Sequence, residues 1–388
     1  MSEKRGLALD THLIHAGRGD SFAGAAVTPI FRSTVYSVEA GTPYHQIRYP
    51  RLSNSPNHQQ LCAKLATLEG TEASMVTASG MAAISTGLLA HLRAGDHLLV
   101  QEQLYGGTHA LVHEDLPALG IEVDSIDACD PSSWQSLLRP GKTRAIYVEA
   151  MSNPLVQVAN HPEVVAFARR HQLLSIIDST FAPPVNFQPA TLGYDLVVHS
   201  ATKYLNGHSD LICGAISGSR EVMQPVTRLL GHLGGMLDPQ GCFLLDRGLK
   251  TLGMRVRRQN DSAQAIAEFL ASHPHVRQIN YPGLPSHPQH RLATQLFKGY
   301  GGMLSFELAG GAEVADRFLG SLALAFNGPS LGGVETLVTR PATTSHAGVP
   351  AASRQRLGIG DGLIRMSVGI EDQADLIHDC EQALAAIG

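Results

Sequence analysis

Lys203 closes the run Leu196-Val197-Val198-His199-Ser200-Ala201-Thr202-Lys203-Tyr204, an apolar strand pattern that ends in two hydroxyls and an amine. A second β-like run, Leu173-Leu174-Ser175-Ile176-Ile177-Asp178, also ends in a single charged group. An amine and an acid at the carboxyl ends of buried strands face one crevice of an open α/β sheet, and a planar cofactor fits between them. Pyridoxal phosphate (PLP) is the cofactor whose chemistry needs both. Its ring nitrogen must stay protonated to act as an electron sink, which Asp178 would ensure, and its aldehyde must be held by an amine, which Lys203 would supply as a Schiff base. Alternation along the strand would put the hydroxyls of Ser200 and Thr202 on one side of its end. Taken singly, Asp178 reads as a turn cap and Lys203 as a solvated lysine; the pair is what points to a site.

These groups need a scaffold, and the chain around them alternates helix and strand patterns. From about residue 57 to 250 these are a helix at Gln59 to Leu68, a helix at Met81 to Leu92, and strands at His97 to Val100 and Ala145 to Glu149. A helix at Pro162 to His171 and the two strands already quoted follow. Such alternation predicts an α/β fold with a mainly parallel sheet covered on both faces. After a helical stretch at Gly248 to Ser272, strand patterns such as Met303 to Leu308 and a closing helix at Gln373 to Ile387 predict a smaller α+β domain over 251–388. Residues 1–56 are rich in turn formers, lack a helical period and read as an extended arm. Thr77-Ala78-Ser79-Gly80-Met81 is a small-residue turn opening an apolar helix, where unpaired amides would welcome an anion.

The composition suits a large enzyme: 388 residues, 44% hydrophobic and 16% charged, enough for a full core in two domains plus appendages. A net charge of −5 offers no basic field for nucleic acid. Five scattered cysteines without C-x-x-C spacing read as reduced thiols in a cytoplasm. Met1 to Arg5 is charged, but no apolar stretch follows it as in a signal peptide, and no run approaches the ~20 residues of a membrane span. His287-Pro288-Gln289-His290 reads as a proline-rich solvated loop, and no metal site is expected.

Ser200-Ala201-Thr202-Lys203-Tyr204, followed by Gly207-His208-Ser209-Asp210 and Gly214, resembles the signature of the Cys/Met-metabolism (transsulfuration) PLP enzymes. The resemblance runs from about Thr11 to the last helix. It implies the aminotransferase-like fold type I, with a seven-stranded large-domain sheet over 57–250 and PLP as cofactor. It also implies a homo-oligomer, a tetramer built as a dimer of dimers. By position, the phosphate-binding amides fall on Gly80 and Met81, with the hydroxyls of Ser200 and Thr202 completing the cup. Tyr49 and Arg51 match a Tyr-x-Arg element that relatives donate from the arm across a subunit boundary, and a guanidinium suits a phosphate. The chain departs from the relatives just after Arg51, with Leu52-Ser53-Asn54-Ser55-Pro56 where Asn-Pro-Thr is common.

Tyr105 matches the tyrosine that stacks on the cofactor ring and assists proton transfer. Asn153 matches a residue near the cofactor oxygen or the substrate carboxylate; Glu149, four residues earlier, equally suits a structural partner of loop amides. Arg365, the lone charge in the apolar pattern Gly362 to Ile370, is the cation expected to bind the substrate's α-carboxylate, since a buried arginine needs such a partner. Ser330 matches a serine near that carboxylate. Glu335 resembles the cystathionine γ-synthase and γ-lyase branch, whereas Ala110 stands where cystathionine-handling relatives carry an arginine and Gly107 where methionine γ-lyases carry a cysteine.

The resemblance therefore implies γ-elimination or γ-replacement on a sulfur-containing or O-acylated amino acid. The alternatives are an O-acylhomoserine sulfhydrylase, a methionine γ-lyase, or a non-catalytic PLP-binding relative.

Overall fold

Apolar runs separated by polar turns become the strands of two sheets in the computed structural model. It describes residues 6–19 and 21–388; the charged stretch Met1 to Arg5 lies outside them. The first sheet holds β1 (Ala73–Thr77), β2 (His97–Gln101), β3 (Glu122–Ile126), β4 (Thr143–Glu149), β5 (Leu174–Asp178), β6 (Leu196–His199) and β7 (Gly214–Gly218). Their order is β1-β7-β6-β5-β4-β2-β3. β7 runs opposite to the other six strands, so the sheet is the mainly parallel one that the alternation predicts. The second sheet holds β8 (Val276–Asn280), β9 (Met303–Leu308), β10 (Phe326–Asn327), β11 (Leu337–Thr339) and β12 (Leu363–Ser367), in the order β10-β11-β12-β9-β8.

Helices cover both faces of the first sheet. The helix Pro56–Glu69 starts where Ser55 accepts from the amide of His58 and stops at Gly70 in the left-handed conformation. It buries Leu61, Leu65 and Leu68 in one cluster with Ile177 and Val197. On the opposite face the helix Gly80–Leu89 buries Ile84 and Leu88 with Ile176 and Val198. Adjacent residues of β5 and β6 thus serve different cores, as the two-residue period of a strand requires. Each such Leu or Ile contributes roughly 2 kcal/mol. The helix Leu252–Ala271 ties the two sheets together: Leu252 and Val256 join the first core, Ile266 and Leu270 the core of the second sheet.

Three expectations are corrected. The arm is not wholly without helix, because Leu9–His15 is helical, buries Leu13 and pairs Asp10 with Arg257 at 2.8 Å. The helical stretch from Gly248 to Ser272 is two helices, Pro239–Leu249 and Leu252–Ala271, separated at Lys250 and Thr251. The strand carrying the lysine ends at His199, and Ser200 to Lys203 form a turn closed by the Lys203 amide donating to the Ser200 carbonyl at 3.1 Å.

Candidate active site

Strand ends build the site. In-register pairing of β4 with β5 sets Glu149 beside Asp178, and pairing of β5 with β6 sets Asp178 beside Val198. Just beyond these carboxyl ends lies a cavity of about 600 Å³. Gly80, Met81, Tyr105, Glu149, Asn153, Asp178, Ser200, Thr202, Lys203, Ser330 and Arg365 all line it. One concave site thus gathers residues drawn from both sheets.

Lys203 donates to the Ser330 hydroxyl at 2.7 Å. Burial and the nearby Arg365 lower its pKa to about 8, which eases conversion to the neutral, nucleophilic amine. Its turn is held from behind by Arg255, a buried residue absent from the sequence reading, which donates to the carbonyls of Tyr204 at 2.8 Å and Gly248 at 2.9 Å. Ser330 is a non-glycine residue at φ +95°, a strained conformation sustained by surrounding bonds. Its hydroxyl receives Lys203 and its carbonyl receives Arg365 at 3.0 Å.

Arg365, in the middle of β12, is 5% exposed. It donates to the Asn153 side-chain oxygen at 3.1 Å, and no ion pair joins it to a carboxylate among the described residues. Burial lowers its pKa to about 10. A desolvated guanidinium lining a cavity and held by neutral acceptors has the chemistry to receive a carboxylate.

Asp178 accepts from the Thr180 amide at 2.9 Å and from the Tyr147 hydroxyl at 3.4 Å. Burial raises its pKa, which the Thr180 bonds and the neighbouring His199 oppose. Glu149 is pushed well above the usual carboxylate range, first by burial and then by the Asp178 charge. Two facing carboxyls do not both ionise readily. The Glu149 Oε1 accepts from the Tyr105 amide at 2.7 Å, so Glu149 fixes the tyrosine loop, the structural role left open above. Tyr105 itself is 46% exposed at the cavity mouth.

Gly80 and Met81 are the first two residues of their helix, whose amides have no partner within it, while the Ser79 hydroxyl accepts from Ala82 at 3.0 Å. A β-carbon on Gly80 would sit 2.6 Å from that of Ser200, so glycine is what lets the helix end and the lysine turn meet. Two unpaired amides, the Ser200 hydroxyl, an acid, an amine and an exposed aromatic around one cavity fit PLP. Thr202 fits less simply, because its hydroxyl donates to the Cys213 carbonyl at 3.1 Å and must give up that bond to serve a phosphate.

Tyr49, Arg51 and Glu335 do not line this cavity. Arg51 donates to the Gly231 carbonyl and, at 3.0 Å, to Tyr44, and lies over the Tyr49 ring at 5.5 Å. Glu335 is exposed and accepts from Ser209 at 2.9 Å. The lining also includes Ser79, from the helix-opening turn named above, and Thr180, Thr344 and Ser345, which the sequence reading missed. Thr180 had a signal, a hydroxyl two residues past the acid; Thr344 and Ser345 lie in irregular chain where no period marks a face. His287, expected in a solvated loop, is buried, and burial lowers its pKa to about 4. Among the described residues no group of three or more His, Cys, Asp or Glu is arranged to hold a metal ion, and no helix is long and apolar enough to cross a membrane.

A mainly parallel seven-stranded sheet with a smaller sheet beside it, and an acid and a lysine facing one cavity, define a PLP-dependent enzyme of fold type I. The chain belongs to the family described as Cys/Met metabolism PLP-dependent enzyme, which matches residues 10–385. It is 41% identical to the cystathionine gamma-lyase of Bacillus subtilis over 379 residues, covering 97% of this chain and 99% of the relative. It is 40% identical over 388 residues to the L-methionine gamma-lyase of Pseudomonas putida, covering 97% of each. Among solved structures, cystathionine gamma synthase from Xanthomonas oryzae pv. oryzae, in complex with aminoacrylate and cysteine, superposes with a TM-score of 0.95. It shares 36% identity and the match covers 99% of both chains. PLP is accordingly the cofactor.

Proposed function

We propose that this enzyme catalyses γ-elimination or γ-replacement on a sulfur-containing or O-acylated amino acid, with Lys203 carrying the cofactor's aldehyde on its amine. The observation that supports this most is the pairing of Lys203, with a pKa lowered to about 8, and Arg365, a buried guanidinium without a carboxylate partner among the described residues, in one cavity. Arg365 binds the substrate α-carboxylate, with Asn153 and Ser330 keeping the guanidinium aimed. Once the substrate's own amine has taken the lysine's place on the aldehyde, that anchor directs the α-hydrogen toward the freed Lys203 amine, which removes it as a base. When bound, PLP supplies the electron sink for the charge left behind. Asp178 keeps the ring nitrogen protonated, Tyr105 stacks on the ring, and Gly80, Met81 and Ser200 hold the phosphate. Loss of a group from the γ-carbon needs a second deprotonation, at the β-carbon, for which Lys203 is again in reach. The bond to the leaving group then breaks; water consumption yields an oxoacid and ammonia, and capture of a thiol instead yields a thioether.

A second reading, methionine γ-lyase or O-acylhomoserine sulfhydrylase, is favoured by the cavity wall. Lys203 and Arg365 are its only basic residues among the described ones, both used at the α-carbon end, and Ile84, Met151, Phe181, Ile212 and Leu331 give the lining much of its apolar surface. A side chain ending in an uncharged thioether or ester suits such a wall better than one ending in a second carboxylate. Ammonia, oxoacid and thiol release over cystathionine, methionine, homocysteine, cysteine and O-acylhomoserines decides between these readings. Turnover confined to β-elimination of cysteine or cystathionine would reject both.

We also propose a homo-oligomer, a dimer of dimers in the cytoplasm, whose arm brings Tyr49 and Arg51 to a neighbour's phosphate site. The arm supports this by leaving Val35 82% and Tyr44 63% exposed, apolar surface that a partner would cover.

A further inference from the structure

The helix Leu252–Ala271 carries two buried polar side chains, Arg255 and Gln259, four residues apart and therefore on one face of it. Arg255 spends its guanidinium on main-chain oxygens. It donates to the carbonyls of Tyr204 at 2.8 Å and Leu205 at 3.4 Å, just past Lys203, and to that of Gly248 at 2.9 Å. No carboxylate pairs with it among the described residues, and burial lowers its pKa to about 10. Gly207, whose amide closes the lysine turn by donating to the Lys203 carbonyl at 2.7 Å, leaves the guanidinium its place, because a β-carbon there would overlap an Arg255 nitrogen. Gln259 donates to the Gly333 carbonyl at 2.7 Å, in the loop that carries Ser330.

Packing alone explains neither side chain. A cation beside the end of the helix Pro239–Leu249 accounts for the Gly248 bond, but not for the reach to Tyr204 and Leu205. A buried guanidinium without a counter-charge is costly. The Gln259 Oε1 is buried with no hydrogen-bond partner among the described residues, a cost that methionine or leucine would avoid. What the two residues share is the pair of segments they hold. The lysine turn and the serine loop meet where a β-carbon on Gly332 would lie 2.7 Å from the Tyr204 amide nitrogen, and Lys203 donates to Ser330 beside that junction. We infer that Arg255 and Gln259 are positioning residues that together set the distance between the Lys203 amine and the Ser330 hydroxyl. One grips the lysine turn and the other the serine loop, from a single helix face, and neither lines the cavity. The inference rests on the proposed role of Lys203 for its functional meaning but not for its geometry.

Two substitutions in the full-length protein test this. Gln259→Met removes the donor at similar volume, and Arg255→Lys keeps the charge but loses the fork that reaches two chain segments. In crystals of the cofactor-free variants the bond from Lys203 to Ser330 is expected to open beyond about 3.5 Å. With PLP bound, exchange of the α-hydrogen of L-methionine for deuterium in D2O, per PLP held, is expected to slow about tenfold, while the half-saturating methionine concentration stays within about twofold because Arg365 is untouched. A lowered thermal midpoint with parental exchange is what a merely structural role gives, and it overturns the inference. So does a folded Gln259→Met chain in which the bond from Lys203 to Ser330 is intact, a result that decides the matter even if Arg255→Lys does not fold. Failure of the lysine reading looks different: a Lys203→Met chain that stays yellow and still exchanges would remove the lysine from the chemistry, and the opened bond in the other variants would stand.

Discussion

The Lys203 amine is held at a cost to the folded chain. Its pKa is about 8 when folded against an ordinary 10.5, so between these values the unfolded chain binds a proton that the folded chain does not. Stability of the cofactor-free protein should therefore rise with pH from about 8 to 10.5 through this group and carry the full cost below pH 8. Replacing Lys203 with methionine should stabilise the cofactor-free chain at pH 7 by roughly 2 kcal/mol. It should also abolish the visible absorption given by added PLP and nearly all turnover. Denaturant melts at pH 7 and pH 10 check the first claim, since the gain should shrink at the higher pH; a Lys203→Met chain that stays yellow and active would remove the lysine from the chemistry. Asp178→Asn makes a complementary case. An amide accepts the Thr180 bond but cannot keep a ring nitrogen protonated, so PLP binding should survive while kcat falls about a hundredfold. Equal kcat in parent and variant would be decisive against that role.

At the scale of elements, what could be read in advance was what local pattern carries. The apolar runs ending in Glu149 and Asp178 became in-register strand ends, the run read through to Lys203 became a strand that stops at His199, and the small-residue turn at Ser79 and Gly80 became a capped helix start. The break at Lys250 and Thr251 carries no glycine or proline itself, and the flanking Gly248 and Gly253 lie inside the two helices. It is tied to Arg255, which reaches from the following helix to the Thr251 hydroxyl and to the carbonyls of Gly248 and Tyr204, a tertiary arrangement with no local signature. β7, Gly-Ala-Ile-Ser-Gly, was too short and glycine-rich to declare itself, yet it separates β1 from β6 in the sheet. Its Gly214 meets the Ser79 carbonyl so closely that a β-carbon would lie 2.3 Å away. The same crowding makes Gly80 a testable hinge between helix and lysine turn. In Gly80→Ala the new methyl meets the Ser200 β-carbon at 2.6 Å and its backbone Cα at 2.9 Å, so the helix start must retreat. PLP affinity, measured by equilibrium titration, should fall about tenfold or more, against a stability loss of only about 1–3 kcal/mol. Unchanged affinity would show that the phosphate is not held at this junction.

At the scale of the whole molecule, one chain gathers the lysine, the acid and the substrate arginine but leaves Tyr49 and Arg51 outside its own cavity. Within the chain Arg51 is tied to the Gly231 carbonyl, Tyr44 and the Tyr49 ring. If the arm completes a neighbour's phosphate site, two defective chains can repair one another. A Lys203→Ala chain keeps a sound arm, and an Arg51→Ala chain keeps a sound lysine. Unfolded together and refolded as mixed oligomers, they should form some sites in which a good arm meets a good lysine. Activity should then exceed the sum of the separate variants when PLP is scarce, because Arg51→Ala weakens cofactor binding by the ~2–5 kcal/mol of a truncated buried charge contact. Excess PLP should erase the difference by filling the weakened sites, which separates a binding defect from a catalytic one. Additive activities at every PLP concentration, together with a fully active monomer on a sizing column, would place Tyr49 and Arg51 in the service of their own chain.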